Sequence, residues 1–144
     1  MGFRLLWLIT RTSDDFVEFL GFINQQLYSK EIERLEVMMM PANFSSMVGE
    51  FMISNIPKYC SKLVKKQYHN GHPDLIPAGM FPKNSAQHSH IGIEVKASRY
   101  QSGWQGHNPE DTWLLVFVFD ISGNLLSHSK QFAYKITDLP IFST

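Results

Sequence analysis

The sequence predicts an α/β fold in which two or three helices precede and flank a mixed central β-sheet of four or five strands. Three observations carry this. Phe16, Phe19, Leu20, Ile23 and Leu27 recur at helical spacing near the start of the chain. Residues 91–97, Ile-Gly-Ile-Glu-Val-Lys-Ala, alternate with period two, the pattern of a strand with unlike faces. Trp113-Leu114-Leu115-Val116-Phe117-Val118-Phe119-Asp120 has no polar face before its last residue, as expected of a central strand covered on both sides.

Taken in order, Met1–Arg11 contains an apolar run well short of the roughly 20 residues that span a bilayer, with no small-residue cleavage site after it. It reads as a strand or helix start inside the fold. Thr12-Ser13-Asp14-Asp15 resembles an N-cap with an acidic first turn, giving a first helix over 14–28. Residues 31–40 either extend that helix or form a short strand, and Pro41 ends the element. Asn43 is placed to cap a second helix carrying Phe44, Met47, Val48, Phe51 and Met52. Pro57 should kink or restart it, after which Tyr59, Cys60, Leu63 and Val64 face inward and Lys58, Lys62, Lys65 and Lys66 mostly outward, as far as His69-Asn70-Gly71. His72–Pro77 is a short extended piece whose prolines suit a strand end or an edge. A turn-rich connection leads to the 91–97 strand, and a polar, glycine-rich loop over 100–109 follows it. Beyond the apolar strand, Leu125–Ser127 and Gln131–Ile136 supply one or two more.

Composition agrees with a packed domain. Of 144 residues, 44% are hydrophobic and 18% charged, which disfavours disorder and suits one domain over 1–144, either whole or part of a longer chain. The single cysteine, Cys60, can form no internal disulfide, so the expected compartment is the cytoplasm. Net charge is zero, yet residues 41–100 hold seven bases against three acids, +4, while both flanks are negative. A basic middle suits phosphate binding; a solvated lysine face is the plainer alternative.

Those three acids are Glu50, Asp74 and Glu94. Glu94 and Lys96 lie two apart on a strand, so they share a face about 6.6 Å apart, while Ile93 and Val95 anchor the opposite face. An acid and an amine so placed also suit a solvated edge strand. Asp74 adds a second carboxylate on a segment that the following turns can bring alongside. Two adjacent carboxylates repel unless a cation lies between them, and hard oxygen ligands suit Mg²⁺, with Mn²⁺ as a substitute. Such a metal activates a water and offsets phosphate charge, and Lys96 would stand beside that water.

Pro73-Asp74 followed by Glu94-Val95-Lys96 resembles the signature of the PD-(D/E)XK nuclease superfamily, which includes type II restriction endonucleases, Holliday-junction resolvases and DNA-repair nucleases. The run from Gly92 to Arg99, with Gly103–Pro109 after it, is most like restriction-endonuclease-like proteins. The resemblance spans about Glu50 to Lys96. It implies a restriction-endonuclease-like core with the acids at a fork between adjacent strands. It also implies a Mg²⁺-dependent endodeoxyribonuclease in which Asp74 and Glu94 hold metal, Lys96 is the catalytic amine and Glu50, on the preceding helix, is an accessory ligand. Glu50 either joins the site or reaches solvent. Double-stranded DNA is the expected partner, and cutting both strands favours a homodimer. A resolvase, a repair nuclease or an inactive nucleic-acid-binding or structural subunit are the alternatives.

Lys62, Lys65, Lys66, Ser98, Arg99, Gln101, Trp104, Gln105, His107 and Asn108 are the candidate DNA contacts: lysines for phosphate, the loop side chains for base edges, and Trp104 for stacking. Trp104 equally suits packing on the sheet. His72 reads as solvent-facing or as a phosphate contact. His88 and His90 with His107 or Cys60 lack a recognisable zinc pattern. No nucleotide-binding Gly-x-x-x-x-Gly-Lys loop and no serine or cysteine with a paired base at familiar spacing is present, so neither ATP use nor a covalent acyl mechanism is expected.

Overall fold

The computed structural model describes residues 2–99, 112–119 and 133–136. Helix α1 runs over Gly2–Ser29, twelve residues earlier than the capping pattern suggests. The reason lies in Thr12 and Ser13, which are buried inside the helix rather than capping it; the Thr12 hydroxyl donates to the Leu8 carbonyl four residues back, at 2.9 Å. Leu8, Ile9, Phe16 and Leu20 then form one continuous buried stripe. Within 31–40 a single helical turn forms, α2 at Leu35–Met38, instead of a strand. Asn24 of α1 holds it from both sides: its Oδ1 accepts the Leu35 N–H at 2.8 Å and its Nδ2 donates to Glu36 Oε2 at 2.8 Å. With Arg34 at 3.4 Å, this lets Glu36 be buried as a paired charge.

Helix α3, Pro41–Tyr59, opens on Pro41 at its first position, where the missing N–H costs nothing. Pro41 therefore starts a helix rather than ending one, and Asn43 lies inside it. Pro57 falls in the last turn without restarting the helix, and Cys60 is already extended, with φ −142°. The next residues leave the helical path: Leu63–Lys65 form strand β1. The spacing of Tyr59, Cys60, Leu63 and Val64 fits a helix, but only Leu63 of the two strand residues is fully buried, and the backbone is satisfied by pairing with β2, Leu75–Pro77.

The sheet has order β1-β2-β3-β4-β5, where β3 is Ile93–Ser98, β4 Trp113–Val118 and β5 Ala133–Ile136. The first three strands form an antiparallel meander, β4 is parallel to β3 and β5 antiparallel to β4. Strand β2 thus lies between two partners, with Pro73 just before it and Pro77 at its end. Leu63, Leu75, Ile93, Val95, Leu115 and Phe117 form a common core with α1 and α3. Phe16 stands at its centre, against Phe51 at 5.2 Å and Phe44 at 6.3 Å between ring centroids, and Phe44 meets Phe119 beyond β4 at 5.3 Å. Register assigns Val64, Ile76, Glu94, Lys96 and Val116 to the other face, where Ile76 and Val116 are also buried. Ile91 is exposed, because β3 begins only after Gly92. Leu125–Ser127, Gln131–Phe132 and Asp120 lie outside the described residues.

Gly92 governs where the meander closes. Its φ of 151° is unfavourable for side-chain-bearing residues, and a Cβ there would overlap Pro73 Cγ and the Leu75 carbonyl oxygen. Gly92→Ala should therefore destabilise the protein by about 2–4 kcal/mol, read as a fall in denaturation midpoint. An unchanged midpoint would contradict the close approach.

Across α1 and α3, Asp15 accepts from the Tyr59 hydroxyl and from Lys58 Nζ at 2.9 Å. The Tyr59 hydrogen bond first, then Lys58, hold the Asp15 carboxyl below its usual value. A depressed folded pKa means this contribution is present above the unfolded value of 3.8 and is lost as pH falls through the folded value. Tyr59→Phe should cost about 1 kcal/mol at pH 7, and the gap from wild type should close on acidification below that value. A pH-independent gap in urea melts would refute it.

Candidate active site

The β2–β3 ladder is pinned at the Leu75–Ile93 pair, and Asp74 and Glu94 are the residues next to that pair on the two segments. The Asp74 side chain reaches β3: Oδ2 accepts the Val95 N–H at 2.9 Å. On the other side, the Lys66 N–H donates to the Asp74 carbonyl at 3.1 Å, and Lys66 Nζ donates to Asp74 Oδ1 at 3.2 Å. Lys66, just past β1, and Asp74, just before β2, thus stand in line toward β3. Lys96, two residues along β3, reaches Glu94 Oε1 at 3.9 Å.

The two carboxylates are set differently. Glu94 is buried on a strand whose neighbours are apolar, whereas Asp74 is half-buried just before β2. Burial of both beside one another requires cations close by, since unpaired carboxylates would be strongly destabilising in that setting. Lys66 and Lys96 supply them. His72 Nδ1 stands 3.4 Å from Glu94 Oε2, charged only when the ring is protonated. Its ring stacks on His88 with centroids 6.3 Å apart, and His72 is tied to the 87–89 segment by backbone bonds to Gln87 and Ser89. The peptide between His72 and Pro73 is cis.

Glu94 and Lys96 thus meet on β3, and Asp74 is bound to the backbone of the residue between them. Glu50 is not in contact with Glu94: on α3, it pairs with Lys65 Nζ at 3.0 Å and its side chain is 67% exposed. It does share a cleft of 480 Å³ with Asp74, lined also by Lys65, Lys66, Tyr68 and His69. Lys65 and Lys66 are not the outward face of a helix. Lys65, the last residue of β1, pairs with Glu50, and Lys66, just after it, pairs with Asp74. Lys62 is exposed before β1, Ser98 ends β3 half-buried and Arg99 is exposed just after it. Gln101, Trp104, Gln105, His107 and Asn108 lie outside the described residues.

His72 is the site neighbour that sequence reasoning missed as a partner of Glu94. A signal was available: it precedes Asp74 by two in an extended segment, the same-face spacing that links Glu94 to Lys96. Among the described residues no three His, Cys, Asp or Glu side chains gather as a ready metal cage. Asp74 and Glu94 are a pair of hard oxygen donors, which is the set Mg²⁺ uses when it keeps most of its waters and takes the rest of its shell from substrate.

No helix of the described residues is long and apolar enough to cross a membrane. Compared with known proteins, the chain matches no family model, no curated protein and no solved structure.

Proposed function

We propose that this chain is a Mg²⁺-dependent endodeoxyribonuclease of restriction-endonuclease-like type, with its centre at Asp74, Glu94 and Lys96. The observation that carries it is Asp74, bound to the Val95 N–H, beside the strand on which the Lys96 ammonium stands 3.9 Å from Glu94. Support also comes from the order of elements: a helix bearing Glu50, then Pro73-Asp74 entering one strand and Glu94-Val95-Lys96 on its neighbour, as in the PD-(D/E)XK signature.

Asp74 and Glu94 would hold the ion, which supplies charge to activate a water and to offset the phosphate oxygens. The protein's own groups do the positioning. The Val95 N–H fixes one oxygen of Asp74 and leaves the other directed toward Lys66. Strand β3, anchored in the core by Ile93 and Val95, presents Glu94 and Lys96 from a rigid base. The Lys96 ammonium holds and polarises the attacking water and neutralises charge in the pentacovalent transition state. Arg99 and Lys62 contribute long-range attraction for the DNA backbone, and a pair of such sites in a homodimer would cut both strands.

Wild-type protein should cut mixed-sequence plasmid in Mg²⁺ and not in chelator. Lys96→Ala and Asp74→Asn should each slow cutting at least about 100-fold while melting as cooperatively as wild type. Discrete fragments would assign a sequence-specific enzyme, and preference for a four-way junction a resolvase. Failure of concentrated wild type to cut any DNA, or equal cutting by Lys96→Ala, would sink the proposal.

A further inference from the structure

The cleft beside the proposed centre has an unusual wall. Lys66 and Asp74 are cross-strand neighbours joined twice, through the backbone and through Nζ to Oδ1. Their side chains are only 12% and 18% exposed, against 44% and 67% for the Lys65–Glu50 pair of the same cleft. Solvent therefore screens the Lys65–Glu50 pair well and the Lys66–Asp74 pair poorly. The group Lys66, Asp74, Glu94 and Lys96 carries two positive and two negative formal charges. A divalent cation entering between the acids makes it strongly positive, with an ammonium already on one acid oxygen. A phosphate entering the cleft would restore the balance and give Lys66 another partner.

We propose that the cleft is a phosphate subsite in which Lys66 exchanges Asp74 for a bound phosphate, so that phosphate and divalent-cation binding favour each other. This rests on the assignment of Asp74 and Glu94 as metal ligands. In the free protein Lys66 is a resident counter-ion that weakens metal binding. Once a nucleotide phosphate occupies the cleft, Lys66 turns from Asp74 Oδ1 to the phosphate oxygens, and that carboxylate oxygen becomes available to the ion. Linkage requires the effect to be mutual: the ion frees Lys66 for phosphate as much as phosphate frees Asp74 for the ion. Metal without substrate would then be held loosely, and the complete centre would assemble on nucleic acid.

The test is Mn²⁺ binding, followed by the electron paramagnetic resonance signal of the free ion, with and without thymidine 5′-monophosphate. That nucleotide offers a phosphate and no phosphodiester to cut, and its own Mn²⁺ binding is subtracted from a titration without protein. In wild type the nucleotide should tighten Mn²⁺ binding about five- to tenfold, a typical coupling between adjacent charged sites. Lys66→Gln keeps a donor for Asp74 but removes the charge; it should bind Mn²⁺ about fivefold tighter than wild type without nucleotide and gain less than about twofold from it. Lys66→Arg should behave as wild type. Direct contact between ion and phosphate would strengthen binding equally in Lys66→Gln, so an equal gain there overturns the exchange. An unresponsive wild type also overturns it, and this measurement needs no variant to fold. Saturable Mn²⁺ binding without coupling removes this inference alone. No saturable binding in any state removes the metal assignment with it.

Discussion

The candidate site depends on how β2 and β3 part. An antiparallel ladder normally continues by backbone hydrogen bonds, but after Leu75–Ile93 the Asp74 carboxylate takes the Val95 N–H instead. One side chain thus caps a strand opening and fixes its own orientation. The approach of Gly92 to Pro73 brings the two segments close enough for this to happen. Buried backbone donors must be satisfied, so a neutral apolar residue at position 74 would leave the Val95 N–H in need of another partner. The acid therefore has a structural task as well as the proposed chemical one, and the two tasks use different oxygens.

Electrostatics accounts for the composition of the surrounding cluster. Glu94 is buried, and its register neighbour on β4 is apolar, so the charge in that region must be balanced by groups from the same strand and from the segment after β1. Lys66 and Lys96 do so at 3.2 and 3.9 Å from an acid oxygen, and His72 lies 3.4 Å from Glu94. These are loose contacts, longer than the 2.7–2.9 Å of a well-formed charge-assisted hydrogen bond. A cluster held this way balances charge without locking each partner to one geometry, which is compatible with the proposed entry of an ion and a phosphate.

The sequence conveyed the strands better than the partners of their side chains. Strand β3 was legible because period-two alternation over Ile93–Ala97 has no helical counterpart, and that same alternation placed Glu94 with Lys96 on one face. The mixed α/β class and the apolar β4 followed from equally plain patterns. Other features were hidden for identifiable reasons. Thr12 and Ser13 look like a cap because their hydroxyls usually compete with the helix, but here both are buried within α1 and the Thr12 hydroxyl bonds back to Leu8. Residues 59–64 satisfy both periods over so short a span that only pairing with β2 decides between them. The partners of Asp74 could not be read at all. Lys66 is eight residues away and Val95 twenty-one, and both meet it only because the meander has this register.

The separation of Lys65 from Lys66 shows why register matters more than composition here. Both contribute equally to the positive middle of the chain, and both are lysines one residue apart. Yet backbone alternation sends Lys65 to an exposed glutamate on α3 and Lys66 to a half-buried aspartate just before β2. Exposed pairs of the first kind exchange with solvent and salt at little cost. For the second kind, losing the partner leaves a carboxylate with restricted access to water, so Asp74 should retain Lys66 until another charge arrives to take its place. A basic patch read as one undifferentiated phosphate attractor is thereby divided into a lysine that is free to sample solvent and one whose release must be compensated.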